Sequence, residues 1–171
     1  EVLRRDGVSF SSRRAAPEAR REFLASRDPW FRPTGLKTGP DGALYVADMY
    51  RLVIEHPEWI PEDVARTIDL RSGRDRGRLY RIFAKESPPR KVPLLGAMES
   101  VEWIPYLGHQ NGWVRDTAQR LLIESGDGEL AGAIRSAMSG SDDARRLLHG
   151  MWTLRGLGRL TIQDVLLGLR S

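Results

Sequence analysis

The hydrophobic period of the chain changes once, across a proline-rich segment at residues 87–93. Before this segment, short apolar runs alternate with Gly, Pro and Asp turns, which is typical of β-strands. After it, apolar residues recur every three or four positions, which is typical of amphipathic helices. We therefore predict a mixed fold, β then α, with a β-rich part at 1–86, a linker at 87–93 and a helical part at 94–171.

Three segments of the first part are predicted strands. Residues 35–38 are short and extended, and residues 43–47 form an apolar run. The sequence Gly39-Pro-Asp-Gly42 between them predicts a turn, because Pro presets φ and Gly accepts a positive φ. Residues 78–83 alternate polar and apolar side chains, as a half-exposed strand does. This order of strands and turn is the outline of a partial β-propeller blade, the last one of an incomplete propeller.

The connection between the second and third strands, residues 48–77, is long and polar. Connections longer than about 12–15 residues without secondary structure are uncommon and are often functional. The sequence predicts one short helix within it, after Pro61. We therefore expect any chemistry to lie in this inserted loop, which is called the excursion below.

The second part carries apolar stripes at helical spacing. Its predicted helices end at Gly126 and Gly140, and two later helices begin at Asp142 or Asp143 and at Thr161. The residues expected to face inward are Val114, Ala118, Leu121, Leu122, Leu130, Ile134, Met138, Leu147, Leu148, Met151, Trp152, Val165, Leu166 and Leu169.

Two segments of the helical part, 113–127 and 145–159, resemble each other at an offset of roughly 32 residues. Paired helices with such a period predict a HEAT-like solenoid. Only about two repeats are present, whereas stable solenoids need about three. Since the chain also begins at Glu1 without a Met, we expect it to be an internal piece of a larger protein.

Composition restricts the chemistry further. The absence of Cys excludes disulfides, zinc–thiolate sites and covalent c-type haem within these residues. No apolar run approaches the roughly 20 residues of a membrane span, so no transmembrane segment is expected. The net charge is +4, but the arginines are scattered and mostly lack aromatic neighbours, so nucleic-acid binding is not expected. The arginine excess reflects either codon bias or recognition of an anionic ligand.

Several motifs together resemble a known family. They are Asp28-Pro-Trp-Phe-Arg-Pro33, the run from Thr38 to Arg51, Glu55-His-Pro57, the run from Gly73 to Ile82, and Asn111 to Leu122. They closely resemble the bacterial membrane-bound dehydrogenase domain, over roughly residues 20–160. That family is similar to the sorbosone and glucose dehydrogenase β-propellers, which use pyrroloquinoline quinone. Its members often continue into HEAT repeats and then a cytochrome c domain.

The resemblance implies a site at the mouth of a propeller channel. Arg32 is expected to approach Asp48, Arg51, His56 and Arg76 there. The three arginines would bind the carboxylates of the quinone, since guanidinium is a planar bidentate donor. His56 is the predicted general base, oriented by Glu55 or Asp48. No metal ligand set is predicted.

Each of these residues also has a structural interpretation. Asp48 can cap the loop by accepting hydrogen bonds from main-chain N–H groups. Arg51 and Glu55 would form an ordinary i,i+4 pair if they are helical. His56 can be a packed loop histidine, and Arg76 can belong to a solvated turn.

We expect the intact parent to be a quinone-dependent sugar or alcohol dehydrogenase-like protein with a small-molecule substrate. This piece alone is expected to be inactive and to hold no cofactor. The alternative is a non-catalytic propeller and HEAT scaffold that binds carbohydrate or protein. The helical repeats are expected to contact a protein partner or the cytochrome c domain. The resemblance alone implies a periplasmic or extracytoplasmic location.

Overall fold

A computed structural model describes residues 2–6 and 9–169. It contains two small antiparallel sheets followed by helices, so the predicted mixed fold with strands before helices is confirmed at that level. The chain forms two compact units. The loop unit comprises the residues up to Pro33 together with 48–78, and the helical unit comprises 34–47 together with the residues from 79 onward. The domain boundaries proposed from the sequence at 86/87 and 93/94 stay a prediction.

The loop unit contains a hairpin and three short helical turns. Strands β1 (Val2–Asp6) and β2 (Ser9–Arg13) pair antiparallel, with Val2 opposite Arg13. The sequence did not predict them, because neither VLRRD nor SFSSR has the sustained alternation of polar and apolar residues that marks a strand. Short 3₁₀ helices cover Ala16–Glu18 and Pro57–Trp59. Helix α1 (Glu62–Ala65) follows Pro61, as predicted.

The helical unit begins with a three-stranded sheet in the order β3 (Pro33–Thr38), β4 (Leu44–Asp48), β5 (Arg78–Ile82). The Gly39 N–H donates to the Ala43 carbonyl at 2.8 Å and closes the β3–β4 turn. Gly42 occupies this turn with φ +84°, a region that favours glycine. Val46 of β4 is buried, and so is Ala43, which directly precedes this strand. The predicted strands and the turn between them are therefore confirmed.

A buried carboxylate links the turn to the third strand. Asp41 is 4% exposed and accepts hydrogen bonds from the Ala43 N–H at 3.0 Å and from Arg81 Nε at 2.6 Å. The Tyr45 hydroxyl donates to the same carboxylate at 3.2 Å. Burial alone would raise the pKa of Asp41, but these donors outweigh it and hold the pKa below its usual value. Arg81 thus anchors β5 to the β3–β4 turn.

Four α-helices form most of the helical unit. They are α2 (Gly112–Ser125), α3 (Ala131–Ser139), α4 (Ala144–Gly156) and α5 (Ile162–Gly168). Shorter 3₁₀ helices cover Leu95–Ala97, Ser100–Gly108 and Gly128–Leu130. The Ser100–Gly108 segment contains Pro105 and is 3₁₀ rather than α, which fits the loss of an N–H donor inside a helix.

Local end signals in the sequence predicted the helix ends well. Gly126 ends α2 with φ +66°, and Asp143 begins α4 by accepting from the Arg145 N–H at 3.0 Å. Thr161 and Asp164 form the predicted capping box of α5. Asp164 is 5% exposed and also binds Arg135 Nε at 2.9 Å, so it fixes α5 to α3 as well.

The core consists of the apolar faces of these helices. Its fully buried members include Leu107, Val114, Ala118, Leu122, Ile134, Met138 and Leu154. The inward assignment is wrong for Leu148, Trp152, Leu166 and Leu169, which are 50%, 51%, 42% and 77% exposed. The buried face of α4 runs through Leu147, Gly150 and Leu154. Leu148 and Trp152 lie roughly 100–160° round the helix from Leu147 and Leu154.

No helix in the described part of the chain combines the length and the apolar character that crossing a bilayer requires.

Two helical glycines offer a matched test of core packing. A Cβ built on Gly150 would lie 2.6 Å from Met138 Cγ and Sδ, whereas a Cβ on Gly132 meets nothing within 4 Å. We expect Gly150→Ala to lower the free energy of unfolding by about 1–3 kcal/mol, because Met138 is fully buried and must shift. The measurement is the urea midpoint at constant m-value.

Gly132→Ala is the control for this substitution. It lies in α3 with open space around it, so we expect it to raise the free energy of unfolding by about 0.5–1 kcal/mol through helix propensity alone. Equal effects of the two substitutions would contradict the packing of Met138 against α4.

The partly buried His149 provides a second test of the helical packing, through the pH dependence of the free energy of unfolding. Its Nε2 accepts from Arg115 Nε at 3.1 Å, so the neutral ring carries its hydrogen on Nδ1 and donates to Gln119 Oε1 at 2.7 Å. Burial, helped by the Arg115 charge, lowers the pKa of His149 below 6.5. Protonation then favours the unfolded state, so stability should fall as the pH drops below about 6.5.

In His149→Gln we expect this pH dependence to be lost, because glutamine supplies a donor and an acceptor without a titrating group. Thermal unfolding of both proteins between pH 5 and pH 8 measures the difference. An identical pH slope in both would contradict a neutral His149.

Candidate functional site

Asp48 ends β4 and is 3% exposed. Its Oδ1 accepts 2.8 Å hydrogen bonds from the N–H groups of Arg32 and Tyr50. The Met49 N–H donates to the Arg32 carbonyl at 2.9 Å beside them. Asp48 therefore holds together the first residues of the excursion and the segment before β3, as its structural interpretation requires.

The Arg32 guanidinium lies against main-chain carbonyls. Its Nη1 donates to Pro29 O at 2.6 Å and to Phe31 O at 2.9 Å, and its Nη2 to Leu52 O at 3.4 Å. These bonds fold the side chain back onto its own segment and onto the start of the excursion. Arg32 and Asp48 are thus brought together, through the main chain of Arg32.

Arg51 has a different partner from the one expected. It lies outside any helix, and its Nη1 donates to the carbonyl of Arg71 at 2.8 Å. The i,i+4 ion pair with Glu55 was expected only if residues 51–55 were helical. They are not, and the pair does not form. Arg51 instead joins the beginning of the excursion to its distal part.

His56 and Arg76 have local partners. The exposed His56 accepts from the Glu58 N–H at 3.4 Å through Nδ1, and its ring centroid lies 5.9 Å from that of Trp59. Arg76 Nε lies 4.0 Å from Asp75 Oδ1. The hydrogen-bond, ion-pair and ring contacts of the described residues therefore join neither side chain to Arg32 or Asp48. The catalytic and cofactor-binding roles of the five residues stay predictions.

Tyr50 is the strained residue of the excursion. Its φ is +51°, and it is the one non-glycine residue with a positive φ in the described part of the chain. Its ring centroid lies 5.5 Å from that of Trp30, and the guanidinium carbon of Arg78 lies 3.6 Å above it. Gly73 approaches so closely that a Cβ there would lie 2.2 Å from the Tyr50 carbonyl oxygen. Such strain persists only where the surroundings fix the residue.

Asp28 completes this cluster. Its Oδ1 accepts from the Trp30 N–H at 3.0 Å, and its Oδ2 lies 3.8 Å from Arg78 Nη1. The Trp30 N–H is the main reason that the pKa of Asp28 is lowered; Tyr50 and Arg78 lower it further against the opposing effect of burial. The sequence motifs contained Asp28, Trp30 and Tyr50, but no local pattern indicated that they meet.

A separate cleft lies within the helical unit. It has a volume of about 550 Å³ and is lined by the β3–β4 turn, residues 87–91 and residues 109–113. Asn111 fixes its shape, since its side-chain amide donates to Gly39 O and Pro40 O, both at 2.9 Å. The Asn111 Oδ1 accepts from the Trp113 N–H at 3.0 Å and so begins α2. Sequence reasoning had not identified this cleft.

The chemistry available differs between the two regions. Asp48, Arg32 and Arg51 bind main-chain groups, and these bonds order the loop. The cleft is lined by the basic side chains Arg90, Lys91 and His109 and also by the rings of Phe83 and Trp113. Within residues 2–6 and 9–169, no group of three His, Asp or Glu side chains is arranged to hold a metal ion.

Comparison with known protein families gives a match over the first half of the chain. The family model described as Domain of unknown function (DUF7133) matches residues 1–86, which is half of the 171-residue chain. No curated protein and no solved structure matches the chain. By this match over the loop unit and the three-stranded sheet, the chain belongs to the DUF7133 domain family.

Proposed function

We propose that this chain is part of a larger quinone-dependent sugar or alcohol dehydrogenase of the propeller kind. In this proposal β3, β4 and β5 are one propeller blade, the excursion is a loop at the channel mouth, and the helices are HEAT-like repeats. The observation that carries it is the neighbouring order of three antiparallel strands, with an ordered polar excursion between the second and third. The resemblance of the motifs to dehydrogenase propellers supplies the reaction class.

The proposal has further parts. Pyrroloquinoline quinone would be the cofactor of the whole protein, with Arg32, Arg51 and Arg76 as candidate ligands of its carboxylates. His56 would be the general base, oriented by Glu55 or Asp48. A cytochrome c domain or protein partner of the repeats would accept electrons, and the location would be periplasmic or extracytoplasmic. All of these parts rest on the family resemblance.

A scaffold function is the second candidate, and one observation favours it. The guanidinium groups of Arg32 and Arg51 donate to main-chain carbonyls, and Asp48 accepts from main-chain N–H groups. Groups bound in this way order the excursion and offer fewer hydrogen bonds to a cofactor. The scaffold would then bind carbohydrate or protein without catalysis.

Arg76 and His56 separate the two candidates, because both are exposed and hold little local structure. In the full-length protein that contains this chain, Arg76→Ala and His56→Ala are expected to lower dye-linked oxidation of sugars or alcohols at least about tenfold. That factor corresponds to the loss of one charge-assisted contact of about 1.4 kcal/mol or more in the transition state. The measurements are quinone binding by absorbance titration and steady-state turnover.

Arg74→Ala is the matched control, since it removes the same charge from an exposed position two residues away. It should leave turnover unchanged. If the full-length protein binds no quinone, or if both variants keep full activity, the dehydrogenase proposal is wrong and the scaffold candidate gains.

Asp48 tests the order of the excursion itself. In Asp48→Ala the N–H groups of Arg32 and Tyr50 lose their acceptor. Hydrogen bonds to a charged group contribute about 1.5–3 kcal/mol, so amide exchange at these two positions should accelerate at least about tenfold. Hydrogen exchange followed by nuclear magnetic resonance measures each amide separately.

Asp48→Asn keeps an acceptor oxygen and should restore most of the protection, whereas the exposed Asp75→Ala should change nothing at these amides. Unchanged exchange in Asp48→Ala would contradict the holding role of Asp48.

A further inference from the structure

The cleft beside Asn111 goes beyond the proposed function, which does not use it. Its volume of about 550 Å³ falls within the range of about 300–1,000 Å³ that is typical of small-molecule sites. All of its lining residues belong to the helical unit. We propose that this cleft binds an organic oxyanion with a planar apolar body, that is, an aromatic carboxylate or an aromatic phosphate ester.

The charge of the lining selects an anion. Arg90 and Lys91 line the cleft and are exposed. The lining also contains Asp41, but its carboxylate is already bound by Arg81, by the Ala43 N–H and by the Tyr45 hydroxyl. Positive charge is therefore in excess in the lining of the cleft, on side chains that solvent and a ligand can reach.

The hydrogen-bonding groups point to the same ligand class. His109 lines the cleft, and its Nδ1 accepts from the Asn111 N–H at 3.0 Å. The neutral ring therefore carries its hydrogen on Nε2, which makes that atom a donor. Lysine and arginine have no acceptor at all. A carboxylate or a phosphate, which offers only acceptors when ionised, matches three donor side chains.

The aromatic side chains select the body of the ligand. Phe83 and Trp113 line the cleft and are 49% and 40% exposed. Covering an aromatic ring removes apolar surface from water, which stabilises a complex. An inorganic anion would satisfy the cations but leave both rings exposed. A planar apolar body joined to the anion uses both features of the cleft.

The cleft is also held in shape without a ligand. Arg115 Nη1 donates to His109 O at 2.7 Å and to Gln110 O at 3.1 Å. The main-chain N–H of Arg90 donates to Asp41 O at 2.9 Å, and the Nη1 of Arg90 donates to Gln110 Oε1 at 3.0 Å. Because these bonds fix the wall, binding requires little ordering of the main chain, and that lowers its entropic cost.

Titration of the whole 171-residue chain tests the proposal. The probes are benzoate and phenyl phosphate. The control probes are benzyl alcohol, which lacks the charge, and inorganic phosphate, which lacks the ring. We expect saturable binding of the first two, with amide shifts at residues 87–91 and 109–113. The other two should bind at least about tenfold more weakly, a factor worth about 1.4 kcal/mol. Raising the salt concentration should weaken the binding, because the cations are exposed.

Two substitutions assign the binding to the cleft. Lys91→Ala and Trp113→Ala should each weaken benzoate binding about three- to tenfold. The first removes a cation that attracts the carboxylate, and the second removes a ring that packs against the apolar body. Lys85→Ala removes the same charge from an exposed position outside the lining. Trp152→Ala removes a half-exposed tryptophan from α4, which is also outside it.

The result that supports the proposal is weaker binding in both cleft variants and wild-type binding in both controls. Three results overturn it: no saturable binding of either aromatic anion, equal binding of benzyl alcohol and benzoate, or cleft variants that bind like their controls. Neither the dehydrogenase nor the scaffold proposal depends on this outcome, because the probes report on the helical unit alone.

Discussion

The side-chain amide of Asn111 is the interaction on which the helical unit depends. Its nitrogen donates to the carbonyls of Gly39 and Pro40, while its oxygen accepts from the Trp113 N–H. One residue thus begins α2 and attaches the β3–β4 turn to that helix. Asp41 continues the connection, since it binds Arg81 and its carbonyl accepts from the Arg90 N–H. A small sheet with two buried apolar residues is thereby fixed to the helices by polar contacts, which depend on direction more than apolar packing does.

In the excursion, the carboxylate of Asp48 binds main-chain groups as the amide of Asn111 does in the helical unit. Asp48 accepts from two main-chain N–H groups, and the Asp48–Tyr50 bond spans two residues, which is the geometry of an Asx turn. That turn helps hold Tyr50 in its left-handed conformation, and Gly73 leaves room for its carbonyl. The bond from Arg51 to the Arg71 carbonyl adds to these contacts and ties the two ends of the long loop together. The polar residues of the excursion therefore have a structural role whatever chemistry the whole protein performs.

The sequence predicted the features that depend on neighbouring residues, and it did not predict the contacts between residues far apart in the chain. The caps at Asp143 and Thr161 and the glycine at 126 act within a few residues, so their patterns predicted helix ends correctly. The contacts of Asn111 join positions 71 and 72 residues apart, and no local pattern encodes such a pair. The site residues had a local pattern of polar types, but Arg32, Asp48 and Arg51 bind main-chain groups, which nearly every residue carries. Apolar character likewise does not tell which face of α4 turns inward, as the exposed Trp152 demonstrates.

Arginine predominates over lysine in this chain, and the structure gives a physical reason for part of that excess. Arg32, Arg51, Arg115 and Arg135 each donate to main-chain carbonyls. A guanidinium presents five N–H donors in a fixed plane, so one side chain can bind two carbonyls or a carbonyl and a carboxylate, whereas an ammonium is a compact point charge. The three lysines, at 37, 85 and 91, are all exposed. Arginine content alone is therefore a poor indicator of an anionic ligand here. An anion site has to be argued from cations that line an open cavity beside apolar rings.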